Sequence, residues 1–167
     1  MSIETLKSVI SDHQGLHVSN RFTFQCPGRS IIGDSDEYTV LSASVPGRTI
    51  ATGEHNPGTV TKKYPYSFID EDVTIAFRLT NDFAVYDKWI AWMKEVVNEE
   101  NYSAGFKSAY QADSKIQTMN YQNQVTKTFT LINSFPIIIS PIELSNDSEN
   151  TIATFAVTLT YDYFSLS

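Results

Sequence analysis

The residues whose chemistry could support catalysis are few and scattered. The only cysteine, Cys26, ends a segment typical of a strand and precedes Pro27-Gly28. A thiol acts as a nucleophile or metal ligand in its thiolate form, which needs an electropositive site. A lone cysteine at a strand end is more often a small buried hydrophobic residue. We therefore expect no catalytic role for Cys26, no intramolecular disulfide, and a reducing compartment.

The histidines and acidic residues do not form a recognisable reaction centre. His13, His17 and His55 lie in the N-terminal segment and in a turn-rich stretch, where we expect them to be exposed. Acidic residues cluster at 34–37 and 70–72, but neither cluster has the glycine and glutamate positions of an EF-hand loop, and we expect solvated strand ends. Phosphate-binding, zinc-protease and serine-hydrolase motifs are missing from the sequence. The sequence predicts no enzyme, no cofactor and no metal site.

Composition predicts one folded domain over residues 1–167. Hydrophobic residues make up 41% and aromatic residues 13% of the sequence, which is too much for a disordered chain. The net charge of −7 argues against a protein that grips nucleic acid, because phosphate binding depends on clustered Lys and Arg. Apolar runs are too short for a membrane span and, at the N-terminus, too interrupted for a signal peptide.

Alternation of apolar and polar residues predicts a mainly β protein. Residues 72–80 place Val73, Ile75 and Phe77 on one face, and residues 151–164 repeat the pattern in what we expect to be one long strand. Shorter strands are predicted at 18–26, 37–45, 60–66, 115–121 and 125–133. So many short strands indicate a β-sandwich or barrel.

One segment, residues 82–98, has helical spacing. Two neighbouring apolar stripes, the second containing Trp89 and Trp92, predict a helix buried over more than half of its surface. Asn81 or Asp82 can cap its amino end. We expect the tryptophans to be core residues. The alternative is a carbohydrate-binding sandwich that stacks sugars on Trp89 or on tyrosines, which requires exposed rings.

Residues 46–65 predict a long hairpin arm. Prolines and glycines punctuate the stretch, and a loop of this length in a compact domain is usually functional or disordered. Arg48, Lys62 and Lys63 make it basic, whereas the chain beyond Lys127 has no Lys or Arg. A basic arm on an acidic chain suits self-assembly, so these three cations are candidate contacts to a neighbouring subunit. A solvated loop with a chance excess of charge is the alternative.

Several motifs, taken together, resemble the tail tube proteins of contractile-tailed bacteriophages. They are Phe24-Gln25-Cys26, Val45-Pro46-Gly47, Asn81-Asp82 before the Trp89 helix, Phe135-Pro136, Ile142-Glu143-Leu144, and the run from Asn150 to Phe164. The last block is the most specific. The resemblance extends from Val18 to Phe164 and is weakest over 98–124, whose role stays open.

The resemblance implies an antiparallel sandwich with one flanking helix, assembled as six-membered rings that stack into a hollow tube. In such proteins the long arm packs on neighbouring subunits, and the inner sheets join into a continuous barrel. The implied partners are further copies of the chain, the contractile sheath, the baseplate and a tail terminator, with genomic DNA passing through the lumen without specific binding. The implied location is the tail of a virion assembled in the host cytoplasm. A tube initiator or terminator, or a tailocin or secretion-system tube protein, is the alternative.

Two carboxylates are candidates for the wall of such a lumen. Alternation places Asp72 opposite the Val73-Ile75-Phe77 face and Asp162 opposite Tyr161 and Tyr163. An acidic wall repels DNA phosphates over about 8–10 Å at physiological salt. We therefore expect Asp72 and Asp162 to face the channel.

Overall fold

A computed structural model describes residues 3–12, 17–29, 31, 39–56, 58–145 and 151–167. The strands are β1 (Phe22–Gln25), β2 (Val40–Ala43), β3 (Arg48–His55), β4 (Lys62–Asp70), β5 (Val73–Arg78), β6 (Ala112–Met119), β7 (Val125–Ile139), β8 (Thr154–Thr160) and β9 (Tyr163–Leu166). The helices are α1 (Ile3–Asp12), α2 (Ala84–Val96) and the single turn α3 (Lys107–Tyr110). The predicted mainly β fold is confirmed.

The body of the protein is one strongly bent antiparallel sheet. Its strands follow the order β1-β6-β7-β8-β5-β2, and β9 pairs with β7 beside β8. Within the described residues no hydrogen-bonded pairing joins β1 to β2, so the sheet is not a closed barrel. The outer edges of β1 and β2 therefore have no strand partner among the described residues.

The long strand β7 turns the sheet into two layers. Its first half pairs with β6 and β9, and its second half pairs with β8. Between the halves, Asn133 has a positive φ of 56°, which asparagine tolerates better than most residues. The chain bends there and passes from one layer to the other.

The same bend corrects one sequence prediction. Residues 151–164 were expected to form one long strand, but the chain forms β8 and β9 with a break at Tyr161 and Asp162. Both strands pair with β7, on opposite sides of its bend at Asn133. The segment that pairs with both halves of the bent β7 must bend as well. The alternation of apolar and polar residues gives no sign of that change of direction.

The core lies between the two layers and α2. Alternate residues of β5 and β8, including Phe77 and Phe155, point inward and are fully or almost fully buried. Trp89 stacks on Trp92 at 5.5 Å between ring centroids and lies 6.4 Å from the ring of Phe24 in β1. These aromatic contacts attach the helix to both layers and bury both tryptophans.

The predicted helix is confirmed with slightly shorter ends. It starts at Ala84, whose N–H donates to Asp82 Oδ1 at 3.3 Å, and Thr80 donates to the same oxygen at 2.5 Å. These two hydrogen bonds keep the pKa of Asp82 below its ordinary value. The short helices α1 and α3 were not predicted as elements. None of the described helices has the length and hydropathy needed to cross a membrane.

Candidate assembly interface

Strands β3 and β4 form a two-stranded sheet of their own, which we call the hairpin arm (residues 48–70). The pairing runs from Arg48 opposite Asp70 at the root to His55 opposite Lys62 near the tip. In the described residues the arm has no strand pairing to the body sheet. The sequence predicted this arm at 46–65. In the structure the second strand of the arm is longer, because β4 continues to Asp70, which pairs with Arg48 at the start of β3. An isolated two-stranded hairpin is at best marginally stable in water.

Both faces of the arm expose large apolar side chains. Cross-strand pairing puts Ile50 beside Phe68 on one face, and these side chains are 54% and 64% exposed. The other face carries Ile69 and Tyr64, which are 55% and 51% exposed. Contiguous exposed apolar surface of this kind marks an interaction site. Because the surface is two-sided, one partner on one face would leave the other face uncovered.

The arm is fixed to the body at its root by Arg48. The Arg48 guanidinium donates two hydrogen bonds to Asp70, with Nε to Oδ1 at 2.6 Å and Nη2 to Oδ2 at 2.9 Å. It also lies 4.4 Å from the ring centroid of Phe164 in β9 and 5.2 Å from that of Phe68. A planar cation can make both contacts at once, which a lysine cannot. The hydrogen bonds raise the pKa of Arg48 and lower that of Asp70.

A second contact supports the root from the body side. The hydroxyl of Tyr161, at the β8–β9 break, donates to the backbone carbonyl of Glu71 at 2.6 Å. Burial, followed by the nearby carboxylates of Asp70 and Asp72, raises the pKa of Tyr161 to about 12. The phenol therefore stays protonated and keeps donating across the physiological range. The direction in which the arm leaves the body is thus set within a single chain.

The predicted cations of the arm fall into two groups. Arg48 has an acidic partner, Asp70, in its own chain, and its contact with a neighbouring subunit stays a prediction. Lys63 lies 3.6 Å from Glu54 across the hairpin, and both side chains are mostly exposed. Lys62 is exposed and lies opposite His55. Inter-subunit contacts of Lys62 and Lys63 stay a prediction.

The two predicted lumen acids lie outside the strands. Asp72 is exposed in the turn between β4 and β5. Asp162 sits at the β8–β9 break, where its carboxylate pairs with Lys107 and accepts a hydrogen bond of 2.8 Å from Asn133 Nδ2. Both contacts lower the pKa of Asp162. Strand alternation therefore does not orient these side chains, and their facing a channel stays a prediction.

The residues considered for chemistry lie apart from one another. Cys26 is buried, burial raises the pKa of its thiol, and Ser114 donates to its sulfur at 3.5 Å, as expected of a core residue. His17 and His55 are exposed, while His13 and the acidic cluster at 34–37 lie outside the described residues. Asp70, expected to be solvated, is instead half-buried and paired with Arg48. In the described part of the chain, His, Cys, Asp and Glu residues form no group of three that could hold a metal ion.

Sequence reasoning missed the apolar character of the arm. Tyr64, Tyr66 and Phe68 alternate along the sequence, a pattern that usually indicates one buried strand face. The prediction rested on the charges of Lys62 and Lys63 instead. This alternation could have predicted an apolar interface, because alternating apolar residues on an arm that projects from the body need a partner to cover them.

The fold of this chain is similar to that of known solved structures. The solved structures similar to this chain include the tube-terminating cap of the anti-feeding prophage, with a TM-score of 0.68 and 19% identity over 91% of each chain. A sheath-tube complex of an extracellular contractile injection system in its extended state matches with a TM-score of 0.68 and 19% identity, over 100% of this chain and 98% of that one. Hcp1 from Flavobacterium johnsoniae matches at 0.51 and 14% identity, over 87% and 94%.

At such identities these structures support the fold alone. Among curated proteins none matches this sequence. A family model described as phage tail tube protein matches residues 14–167, which includes the whole sheet, the arm and α2. The chain therefore belongs to the phage tail tube protein family.

Proposed function

We propose that this protein is the repeating subunit of a contractile tail tube, in which six-membered rings stack into a hollow conduit inside the sheath. Tail tube proteins are structural and not enzymatic, as the sequence predicted. The observation that carries the proposal is the hairpin arm, because no other described residues cover its two apolar faces. A subunit placed between neighbours in a ring and in the next ring can have both faces covered.

The unpaired sheet edges support the same proposal. Strands β1 and β2 end the sheet without partners in the described chain. In a ring these edges can pair with edges of the adjacent copies, which satisfies backbone N–H and C=O groups and prevents uncontrolled edge association. A head-to-tail interface of this kind closes into a ring when its rotation allows.

The finer parts of the proposal concern the lumen and the partners. The acidic net charge of −7 suits a wall along which DNA passes without binding. Asp72 is the more available wall candidate, because it is exposed, whereas Asp162 is engaged by Lys107 and Asn133. The sheath, the baseplate and a terminator are the proposed partners. We place assembly in the host cytoplasm and the product in the virion tail.

A tube initiator or terminator is the second candidate, since a terminating cap shares the fold. Copy number in the particle separates the two: a repeating subunit is present in many copies, and a terminator in one ring. The carbohydrate-binding alternative loses its main platform, because Trp89 and Trp92 are 0% and 2% exposed. Stacking on a sugar requires an open ring face.

The proposal is tested by removing apolar side chains from one face of the arm while keeping the hydrogen bonds of Arg48 to Asp70 and its contact with Phe164 at the root. The double variant Ile50→Ser/Phe68→Ser is compared with Thr74→Ser, a conservative change on an exposed strand face of the body. Light scattering after gel filtration should show rings or longer polymers for the wild type and Thr74→Ser, and monomers for the double variant. Polymers of unchanged length and yield from the double variant would contradict the role of the arm.

A further inference from the structure

One charged residue, Asp162, lies between two side chains that hold the root of the hairpin arm. Tyr161, on one side of it, donates to the carbonyl of Glu71, the residue after the arm, at 2.6 Å. Phe164, two residues further along on the other side, lies 4.4 Å from the Arg48 guanidinium. The position of the corner at Asp162 therefore sets where both contacts with the root are made.

The carboxylate of Asp162 is held from a different part of the fold. Its Oδ1 pairs with the ammonium of Lys107 in α3, and its Oδ2 accepts a hydrogen bond of 2.8 Å from Asn133 at the bend of β7. The side chains of Lys107 and Asp162 are 46% and 40% exposed, so solvent reaches the ion pair. An exposed pair opens more readily than a buried contact.

The helix α3, which carries Lys107, is fastened to α2 and to β7. The indole Nε1 of Trp92 in α2 donates to the carbonyl of Tyr110 at 2.6 Å. The ring of Tyr110 packs edge-on against that of Phe135 in β7, with 5.2 Å between the ring centroids. Lys107 thus extends from a fixed support, and its pair with Asp162 connects this support to the corner at the root of the arm.

We propose that Asp162 is a positioning residue for the hairpin arm, and that its ion pair with Lys107 couples the order of the arm to α3. While the pair is closed, the β8–β9 corner is fixed, and Tyr161 and Phe164 stay in contact with the root. When the pair opens, the corner loses a restraint and the arm detaches from the body more often. This role belongs to the single chain and does not depend on assembly into rings.

The exposure of the pair sets the size of the expected effect. Losing an exposed ion pair shifts an equilibrium between closed and open forms by about two- to fivefold. When closing is fast relative to cleavage, the rate of proteolysis follows the population of the open form. The arm offers chymotrypsin sites after Tyr66 and Phe68, whereas Phe77 in β5 is 0% exposed, and cleavage there reports unfolding of the body.

Limited chymotrypsin digestion of unassembled subunits, isolated by gel filtration, tests the coupling, with the fragments identified by mass spectrometry. Lys107→Gln should raise the rate of cleavage after Tyr66 and Phe68 about two- to fivefold, with little change at the body site. Lys107→Arg keeps the charge and should stay close to the wild type. Lys94→Gln removes a comparable exposed ion pair on α2 and should leave arm cleavage unchanged, so it is the matched control.

A double variant shows whether Lys107 acts through Asp162. Asp162→Asn removes the charge but keeps an oxygen that can accept from Asn133, so it should raise arm cleavage about as much as Lys107→Gln. The double variant should be cleaved no faster than the single variants, because the two changes break the same contact. If the two effects multiply instead, the residues act separately and the coupling is overturned.

Two further results would overturn the proposal. Unchanged arm cleavage in Lys107→Gln would show that the ion pair does not restrain the arm. An equal rise of cleavage after Phe77 would show a loss of stability throughout the body instead of a release of the arm. All of these measurements use single subunits. Failure of the wild type to form any polymer would therefore contradict the proposed function and leave this coupling to stand on its own result.

Discussion

The side-chain amide of Asn133 donates a 2.8 Å hydrogen bond to Asp162 Oδ2 where β7 bends and β8 gives way to β9. The backbone N–H of Asp162 donates to the carbonyl of Ile132 at 3.1 Å, and that of Asn133 donates to Asp113 Oδ1 at 3.0 Å. One corner thus joins three segments of the sheet. It positions β9, and with it Phe164, beneath the root of the arm.

Replacing Asn133 should destabilise the fold through this corner. In Asn133→Ala the positive φ costs about 1–2 kcal/mol, and the hydrogen bond to Asp162 is lost as well. Asn133→Gly loses the same side chain but accepts the backbone angle, so it should be less destabilised than Asn133→Ala. Urea unfolding of the unassembled subunits measures the difference. Equal free energies of unfolding for the two variants would show that the backbone angle does not constrain the corner.

Substitution of Arg48 should uncouple the arm from the body. Arg48→Lys keeps the charge but loses the two-pronged hydrogen bonding to Asp70 and the flat contact with Phe164. We expect faster proteolysis within residues 48–70 and a lower tube yield, with Arg48→Ala more affected than Arg48→Lys. Arg21→Lys, immediately before β1 and hydrogen-bonded to Asn123 in the β6–β7 turn, is the matched control. If arm proteolysis in Arg48→Ala matched the wild type, the root would not be held by this residue.

The root should also weaken in acid. Hydrogen bonding to Arg48 lowers the pKa of Asp70 below its ordinary value of 3.8. A lowered pKa in the folded state means that the interaction contributes fully above pH 3.8 and is lost as the pH falls through the folded pKa. Carboxyl carbon NMR should give a pKa for Asp70 below 3.8 in the wild type and a value closer to 3.8 in Arg48→Ala. An unshifted Asp70 in the wild type would contradict the pairing in solution.

The sequence predicted those parts of the fold that depend on local periodicity. Val73, Ile75 and Phe77 alternate and are buried, and Trp89 has the helical spacing that places it in the core. The break at Tyr161 and Asp162 was missed because it depends on the bend of a distant partner strand. The same limit applies to Arg48. The sequence predicted a role for its charge, but not its contacts with Asp70 and Phe164, which are distant in the sequence.

The sequence predicted the hairpin arm as the candidate site but did not predict the arm's exposed apolar surface. The turn formers of 46–65 indicated a functional arm, and its basic residues predicted contacts through Lys62 and Lys63, while Ile50, Phe68 and Tyr66 are exposed on it as well. An apolar residue in a strand pattern is normally assigned to the core of its own chain. Apolar residues that are buried only when subunits assemble show the same pattern. The sequence of one subunit therefore does not distinguish core residues from interface residues.

Charge at the tip of the arm should still modulate assembly. Reversal of Lys62 and Lys63 to Glu places like charges beside Glu54 and removes attraction to an acidic neighbour. We expect lower polymer yield on sedimentation, and wild-type assembly that weakens as salt rises. Lys94→Glu, on α2 and away from the arm, is the control. Equal yields from the double reversal and the wild type would exclude a role for these cations.

The most direct test of the central claim is cryo-electron microscopy of the purified, concentrated protein. If it is the repeating subunit of a tail tube, the particles should be stacked six-membered rings with an open lumen. In the reconstruction, residues 48–70 should be covered on both faces by neighbouring copies. Discrete single subunits at high concentration, or polymers in which the apolar faces of the arm remain exposed to solvent, would contradict the account.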